Sequence, residues 1–260
     1  YLFTEELKNT VVTAALLDCE EQIVVSKNFQ IERDGSWNHY EGAFTVDTTA
    51  NDLRFALLLP HKGKVYIDFV SMFPENTFCG HKNGLREDVA GMLRDLRPDF
   101  VRWPGGCIVE GLTMDNRIKW KETIGDIVKR PGEYNLWGYR STYGFGYHEF
   151  LQFCEDIDAD GLFVCNAGMS CLFRNGDYWE EENRIDNLIQ DALDAVEYAL
   201  GDTTTVYGKR RAENGHAAPF PLKYVEVGNE NVGLRYVKNY NRFYKAIKEK
   251  YPQIEVSRRT

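Results

Sequence analysis

The hydrophobic and polar positions divide the chain into two textures that meet near residue 75. Before it, short apolar runs rich in β-branched and aromatic residues alternate with turn residues. Gln22–Val25, Ala43–Thr48, Leu53–Leu59 and Val65–Met72 read as strands. Asp34-Gly35-Ser36, Thr49–Asp52 and His61–Gly63 read as the turns between them. This is the pattern of part of an antiparallel β-sandwich.

After residue 75 the spacing alternates between helix and strand. Leu85, Val89, Met92, Leu93 and Leu96 fall at helical intervals, and Pro98 stops that helix. A strand over Phe100–Trp103 ends at Pro104-Gly105-Gly106. A helix over Tyr147–Ile157 precedes a strand over Leu162–Cys165, which ends at Asn166-Ala167-Gly168. Ile185, Leu188, Ile189, Ala192, Leu193 and Val196 form the apolar stripe of a third helix, with Gly201 suited to its cap. It feeds a strand over Leu222–Val227 that stops at Gly228-Asn229-Glu230-Asn231. A fourth helix, Tyr236–Lys250, leads through Pro252 into Ile254–Ser257.

Repeated helix–strand units predict an α/β fold with a parallel sheet and helical crossovers. Polar groups at the C-terminal ends of parallel strands suit both a (β/α)8 barrel and an open doubly wound sheet. No G-x-G-x-x-G or G-x-x-x-x-G-K-[ST] follows any strand, which favours the barrel. The expected organisation is a partial sandwich over 1–73 and a partial barrel over 74–260.

Composition narrows the function. The 260 residues carry a net charge of −9, with no basic face to meet nucleic acid or an anionic membrane. Lys209-Arg210-Arg211 reads as a solvated loop. No apolar run approaches the roughly 20 residues that span a bilayer. No signal-peptide pattern opens the sequence at Tyr1, which is not a Met and so says nothing about export. The six cysteines show neither a CxxC pair nor zinc spacing, so no metal site is expected. Cys154, Cys165 and Cys171 lie in or beside apolar runs and read as buried thiols.

The strand ends carry the candidate chemistry. Glu230, beside an amide at a strand end, suits general acid–base work on a glycosidic bond, against the plainer reading of a solvated loop carboxylate. Glu226 shares its nominal face but lies about 13 Å further down the same strand. Paired carboxylates of glycosidases stand about 5–9.5 Å apart, so Glu226 reads as a buried structural carboxylate paired with Arg102. Arg102 could anchor either Glu226 or Glu230. Cys107 has no histidine in a motif context, since His148 and His216 stand apart, so cysteine-hydrolase chemistry is not expected. Asn166 suits a sugar hydroxyl or a turn equally. Trp120, Trp137 and Tyr143 could form a sugar-stacking wall or pack their own loop.

Several motifs together resemble one family. R-W-P-G-G-C-I-V-E (Arg102–Glu110), W-K-E-T-I-G (Trp120–Gly125), N-L-W-G-Y (Asn135–Tyr139), E-F-L-Q-F-C-E-D (Glu149–Asp156), Asn166-Ala167-Gly168 and Y-V-E-V-G-N-E-N (Tyr224–Asn231) occur in this order. The sequence is similar to α-L-arabinofuranosidases of glycoside hydrolase family 51 over roughly residues 65–255. The resemblance implies a (β/α)8 barrel and hydrolysis with retention. Glu230 matches the general acid/base, and Asn229 matches the residue that binds the sugar 2-hydroxyl. Arg102 and Cys107 match residues lining the pocket for a terminal arabinofuranose. Residues 1–73 resemble the later part of an inserted carbohydrate-binding-like sandwich. The resemblance implies no metal and no organic cofactor, an arabinose-containing oligo- or polysaccharide as partner, and a periplasmic or extracellular setting. The family's nucleophile is a second Glu, on its seventh strand, beyond the stretch matched here. The expectation is therefore a piece that is inactive alone and that self-associates or pairs with its missing half. The rival readings are a retaining barrel glycosidase acting on xylan or glucan, and a non-catalytic carbohydrate-binding protein.

Overall fold

A computed structural model describes residues 1–4, 10–32, 35–47, 49–60 and 62–258. The expected turn residues Asp34 and His61, and Thr48 at the end of an expected strand, lie outside the described residues. The chain divides into two compact units, Tyr1–Phe73 and Pro74–Thr260.

In the first unit, strands β1 (Leu2–Phe3), β2 (Thr10–Leu17), β3 (Ile23–Ile31), β4 (Arg54–Leu58) and β5 (Tyr66–Ile67) form two small antiparallel sheets. β2 lies between β3 and β4, with Thr10 opposite Ile31 and Leu17 opposite Arg54. β1 pairs with β5. Leu2, Val12 and Ile31 form the buried cluster. The structure corrects the expected strands at three places. β2 is the central strand, yet its Thr-Ala-Ala core has a weak strand signal. Residues 43–47 are not a strand. The last expected strand is reduced to Tyr66–Ile67, because Phe69 adopts a left-handed φ of 45° and breaks the extended backbone.

The second unit contains helices α1 (Glu87–Asp95), α2 (Gly106–Glu110), α3 (Tyr147–Asp156), α4 (Glu182–Leu200), α5 (Val206–Glu213) and α6 (Gly233–Lys250). Its strands are β6 (Phe100–Trp103), a short hairpin β7 (Glu133–Tyr134) and β8 (Arg140–Ser141), then β9 (Asp160–Cys165), β10 (Leu222–Val227) and β11 (Glu255–Ser257). The main sheet runs β6-β9-β10-β11, and every pair is parallel. Each strand lies beside its predecessor in that series, and the order never reverses.

The two faces of this sheet differ. Trp103, Phe163, Cys165, Val225 and Val227 point into a core shared with Tyr147 and Phe150 of α3, Ile185 and Leu188 of α4, and Phe243 and Ile247 of α6. The other face carries Arg102, Leu162, Val164, Tyr224 and Glu226, with Val109 of α2 packed on Leu162 and Val164. The alternation of side chains along each strand creates this division.

Three expectations change here. Lys209-Arg210-Arg211 belongs to α5, and Arg211 is fully buried. Gly201 is the C-cap of α4 but with extended backbone, φ −64°. Glycine is needed there for close approach, since a Cβ would lie 2.5 Å from the Glu197 carbonyl oxygen. The stripe that predicted α1 is largely exposed: Met92 retains 72% and Leu96 74% of its accessible surface, while Ala90 is buried.

Candidate active site

The parallel strands deliver three turns to the same edge of the sheet. β6 leads into Gly105-Gly106-Cys107, β9 into Asn166-Ala167-Gly168, and β10 into Gly228-Asn229-Glu230. The turns after β9 and β10 are tied together, because the Gly228 N–H donates to the Cys165 carbonyl at 2.8 Å. Side chains of α6 hold the same region from behind. Tyr236 donates its hydroxyl to the Val227 carbonyl, and the Asn239 amide donates to the Ala167 carbonyl, both at 2.8 Å.

Gly228 makes the last turn possible. Its φ is 76°, and a Cβ there would meet Asn231 Oδ1 at 2.5 Å and Ala167 Cβ at 3.1 Å. Both demands select glycine. Glu230 also has positive φ, 50°, a conformation that costs a non-glycine residue free energy and clusters at functional sites. It is exposed, whereas Asn229 and Asn231 on either side are buried.

A continuous polar network fixes Asn229. Arg102 pairs bidentately with Glu226, Nε to Oε2 and Nη2 to Oε1, each at 2.7 Å. This is the expected structural pair, and it decides the anchor of Arg102 in favour of Glu226. The same Nη2 donates to Asn229 Oδ1 at 3.0 Å. On its other side, Asn229 Nδ2 donates to Glu110 Oε2 at 3.3 Å. Asn231 Nδ2 donates to Glu110 Oε1 at 2.7 Å. Both ends of the Asn229 amide are thus held, and its orientation is set. Burial pushes the Glu110 carboxyl up to about 7, with the Glu230 charge adding to the rise and the two amide bonds opposing it.

Cys107 sits beside the exposed carboxylate, its Sγ 4.0 Å from Glu230 Oε2. Burial and neighbouring negative charge push its thiol up to about 12, so it is not a thiolate nucleophile at neutral pH. His148 pairs with the Tyr198 hydroxyl and His216 with Glu155, both at 2.8 Å, so neither serves Cys107.

The structure therefore gathers Arg102, Cys107, Asn229 and Glu230 around one spot. Asn166 and Trp120 are committed elsewhere. The Asn166 amide donates to the Val109 and Met169 carbonyls and accepts from the Gly168 N–H, so its hydrogen bonds hold a turn. Trp120 is buried against Tyr147, Tyr198 and Tyr207, with Nε1 donating to the Asp191 carbonyl. Tyr143 is buried as well, while Trp137 is exposed and stacks with Tyr139. Trp120 and Tyr143 thus pack their loop and do not form an open wall. Sequence reasoning missed Glu110 and Asn231. The signal for Glu110 was its place three residues after Cys107, on the same face of one helical turn.

Comparison with known proteins assigns this α/β chain to a family of arabinofuranosidase domains. The α-L-arabinofuranosidase 1 domain profile matches residues 92–259, and the chain belongs to that family. α-L-Arabinofuranosidase 2 of Arabidopsis thaliana is 40% identical over 223 residues, covering 85% of this chain and 32% of the plant protein. The extracellular exo-α-L-arabinofuranosidase of Streptomyces chartreusis is 36% identical over 259 residues, covering 95% of this chain and 31% of that protein. The solved structure of an arabinose-bound GH51 α-L-arabinofuranosidase superposes with a TM-score of 0.90 at 29% identity, over 99% of this chain and 42% of that one. The chain spans about a third of the length of these curated relatives.

Proposed function

We propose that the chain is part of a retaining α-L-arabinofuranosidase. It would release terminal non-reducing α-L-arabinofuranosyl residues from arabinose-containing oligo- or polysaccharides, with Glu230 as general acid/base. The observation that carries this reading is an exposed Glu230 after β10, beside an asparagine whose amide is clamped at both ends. Glu230 gives its proton to the departing glycosidic oxygen as a nucleophile attacks the anomeric carbon. Its carboxylate then takes a proton from the water that hydrolyses the glycosyl–enzyme ester. Asn229 orients the 2-hydroxyl, and Arg102 and Cys107 line the pocket.

The family resemblance implies that the second carboxylate lies beyond the matched stretch, and neither carboxylate beside Asn229 replaces it. Glu226 is engaged in its bidentate pair. Glu110 is buried, 1% exposed, so the anomeric carbon of a sugar has no route to it. The piece is therefore inactive alone.

Residues 74–260 form part of a (β/α)8 barrel, and residues 1–73 part of a carbohydrate-binding-like sandwich. The unreversed strand order and the placement of α3, α4 and α6 on one face of the sheet support a barrel over a doubly wound sheet. β6 and β11 are then open edges, and the exposed Met92 and Leu96 of α1 form an uncovered apolar face. Self-association, or pairing with the rest of the barrel, covers them. The name of the Streptomyces relative supports a periplasmic or extracellular setting.

The test is to assay the 260-residue chain and a longer product of its gene on arabinan and on an aryl α-L-arabinofuranoside. The longer product should turn over both and the chain neither. Turnover by the chain itself, abolished by Glu230→Gln, would show that the nucleophile lies within it. Hydrolysis of xylan or glucan with no action on arabinofuranosides would establish the rival glycosidase. Sugar binding by both proteins without turnover by either would establish the binding protein.

A further inference from the structure

Spacing in the sequence pointed away from a metal site, yet the fold assembles a donor set from separate segments. Cys107 and Glu110 share one turn of α2, and Cys171 arrives from the loop after β9. Two thiol sulfurs and a carboxylate oxygen lie within 4.8 Å of one another. Backbone bonds fix their relative positions. The Gly111 N–H donates to the Cys107 carbonyl at 2.8 Å, and the Cys171 N–H donates to the Gly111 carbonyl at 3.0 Å. The Cys171 carbonyl accepts from the N–H groups of Arg174, Asn175 and Gly176, which closes its loop.

The carboxylate is already held as a metal ligand would be. Each Glu110 oxygen accepts one amide N–H, from Asn229 or Asn231, and keeps a lone pair. Such outer partners orient ligating carboxylates in metal sites. Cys107 is half-buried, and the Glu230 carboxylate stands 4.0 Å from its sulfur on the open side. Arg102, which reaches Asn229 beside this cluster, is committed to Glu226 and Asn229.

We propose that Cys107, Glu110 and Cys171 bind a thiophilic divalent cation of the Zn2+ or Cd2+ type, with Glu230 or a water as fourth ligand. Two thiolates and a carboxylate select such ions over Mg2+ and Ca2+. Tetrahedral zinc with bonds of about 2.0–2.3 Å holds its donors roughly 3.5–3.8 Å apart. Donors within 4.8 Å reach that spacing by side-chain adjustments of about an ångström. A bound cation deprotonates a coordinating thiol outright. The cation site stands independently of the sugar-binding reading, although both use Cys107. Only the consequence that cation and sugar exclude one another rests on the proposed function.

The experiment titrates the reduced chain with Cd2+ and reads the sulfur-to-cadmium charge-transfer absorption. The band should saturate at one cation per chain and persist in excess Mg2+. It should survive the Cys19→Ser/Cys79→Ser double variant, which removes the two exposed thiols, and disappear in Cys171→Ser. Glu110→Gln should weaken binding by at least about tenfold. Because a variant can fail to fold, alkylation of the wild-type chain is followed by mass spectrometry in parallel. Cd2+ should slow modification of Cys107 and leave Cys19 and Cys79 unprotected. Absence of a saturable band, its survival in Cys171→Ser, or an unprotected Cys107 overturns the site. Arabinose competition with Cd2+ reports on the sugar reading alone.

Discussion

Replacing Arg211 with methionine removes a buried cation whose hydrogen bonds all go to backbone carbonyls. Arg211 is fully buried and donates five hydrogen bonds: to the carbonyls of Tyr198, Ala199, Gly201, His216 and Ala217. The first three lie at the C-terminal end of α4, where carbonyls lack helical partners and a positive charge meets the negative end of the helix dipole. At about 1.5–3 kcal/mol for each bond to a charged group, the five contribute roughly 7–15 kcal/mol. Burying the guanidinium costs several kcal/mol, and ordering the side chain costs about 2 more. The balance leaves about 3–5 kcal/mol that Met cannot recover, since it fills the space but leaves four carbonyls unpaired, while that of Ala199 keeps its bond from the Phe220 N–H. Urea unfolding followed by tryptophan fluorescence suits the measurement, because Trp120 packs directly on Tyr198 and Tyr207. With a slope of about 3 kcal/mol/M, the midpoint should fall by at least about 1 M. Arg211→Lys should lie between, because an ammonium offers three donors from a single atom. A midpoint within about 0.3 M of wild type would refute the ledger and return this residue to the solvated loop that the sequence suggested.

Gly228→Ala combines a positive φ with a Cβ 2.5 Å from Asn231 Oδ1, and should cost about 2–3 kcal/mol in the same assay. Arg102→Lys breaks the bidentate pair with buried Glu226 and should cost about 3 kcal/mol, with Glu226→Gln showing strong coupling in a double-mutant cycle. His148 is pushed down to about 4 by burial, so between there and its ordinary 6.5 the unfolded chain binds a proton that the folded chain does not. Its contribution is full above 6.5 and is lost as pH falls toward 4, by up to about 3 kcal/mol. The stability of His148→Gln relative to wild type should rise over that window by the same amount, measured by urea unfolding at several pH values.

What was legible in the sequence depended on punctuation. β6 and β10 end at Pro-Gly-Gly and Gly-Asn-Glu, so their boundaries were readable within a residue. The Arg102–Glu226 pair followed from strand alternation, which put Glu226 on the polar face but too far from the strand end for chemistry. β2 escaped because two alanines interrupt its β-branched run, and its burial comes from partners on both sides. Arg211 escaped because a run of three basic residues gives no sign that one of them caps a distant helix end. Glu110 and Cys171 could not be joined by spacing, since the contact between their segments exists only once β9 lies beside β6. Trp120 shows the limit of aromatic counting: a ring that could stack on sugar closes a core instead.

The central claim is that Glu230 protonates the leaving group of an arabinofuranoside. The direct measurement compares wild type and Glu230→Gln, in whichever product of the gene turns over arabinofuranosides, on two substrates. One is an arabino-oligosaccharide, whose alkoxide leaving group needs a proton; the other is a nitrophenyl arabinofuranoside, whose leaving group does not. The rate of forming the glycosyl-enzyme should fall by about 10²–10⁴ on the first and far less on the second. An equal loss on both substrates, or no loss on either, would contradict the assignment.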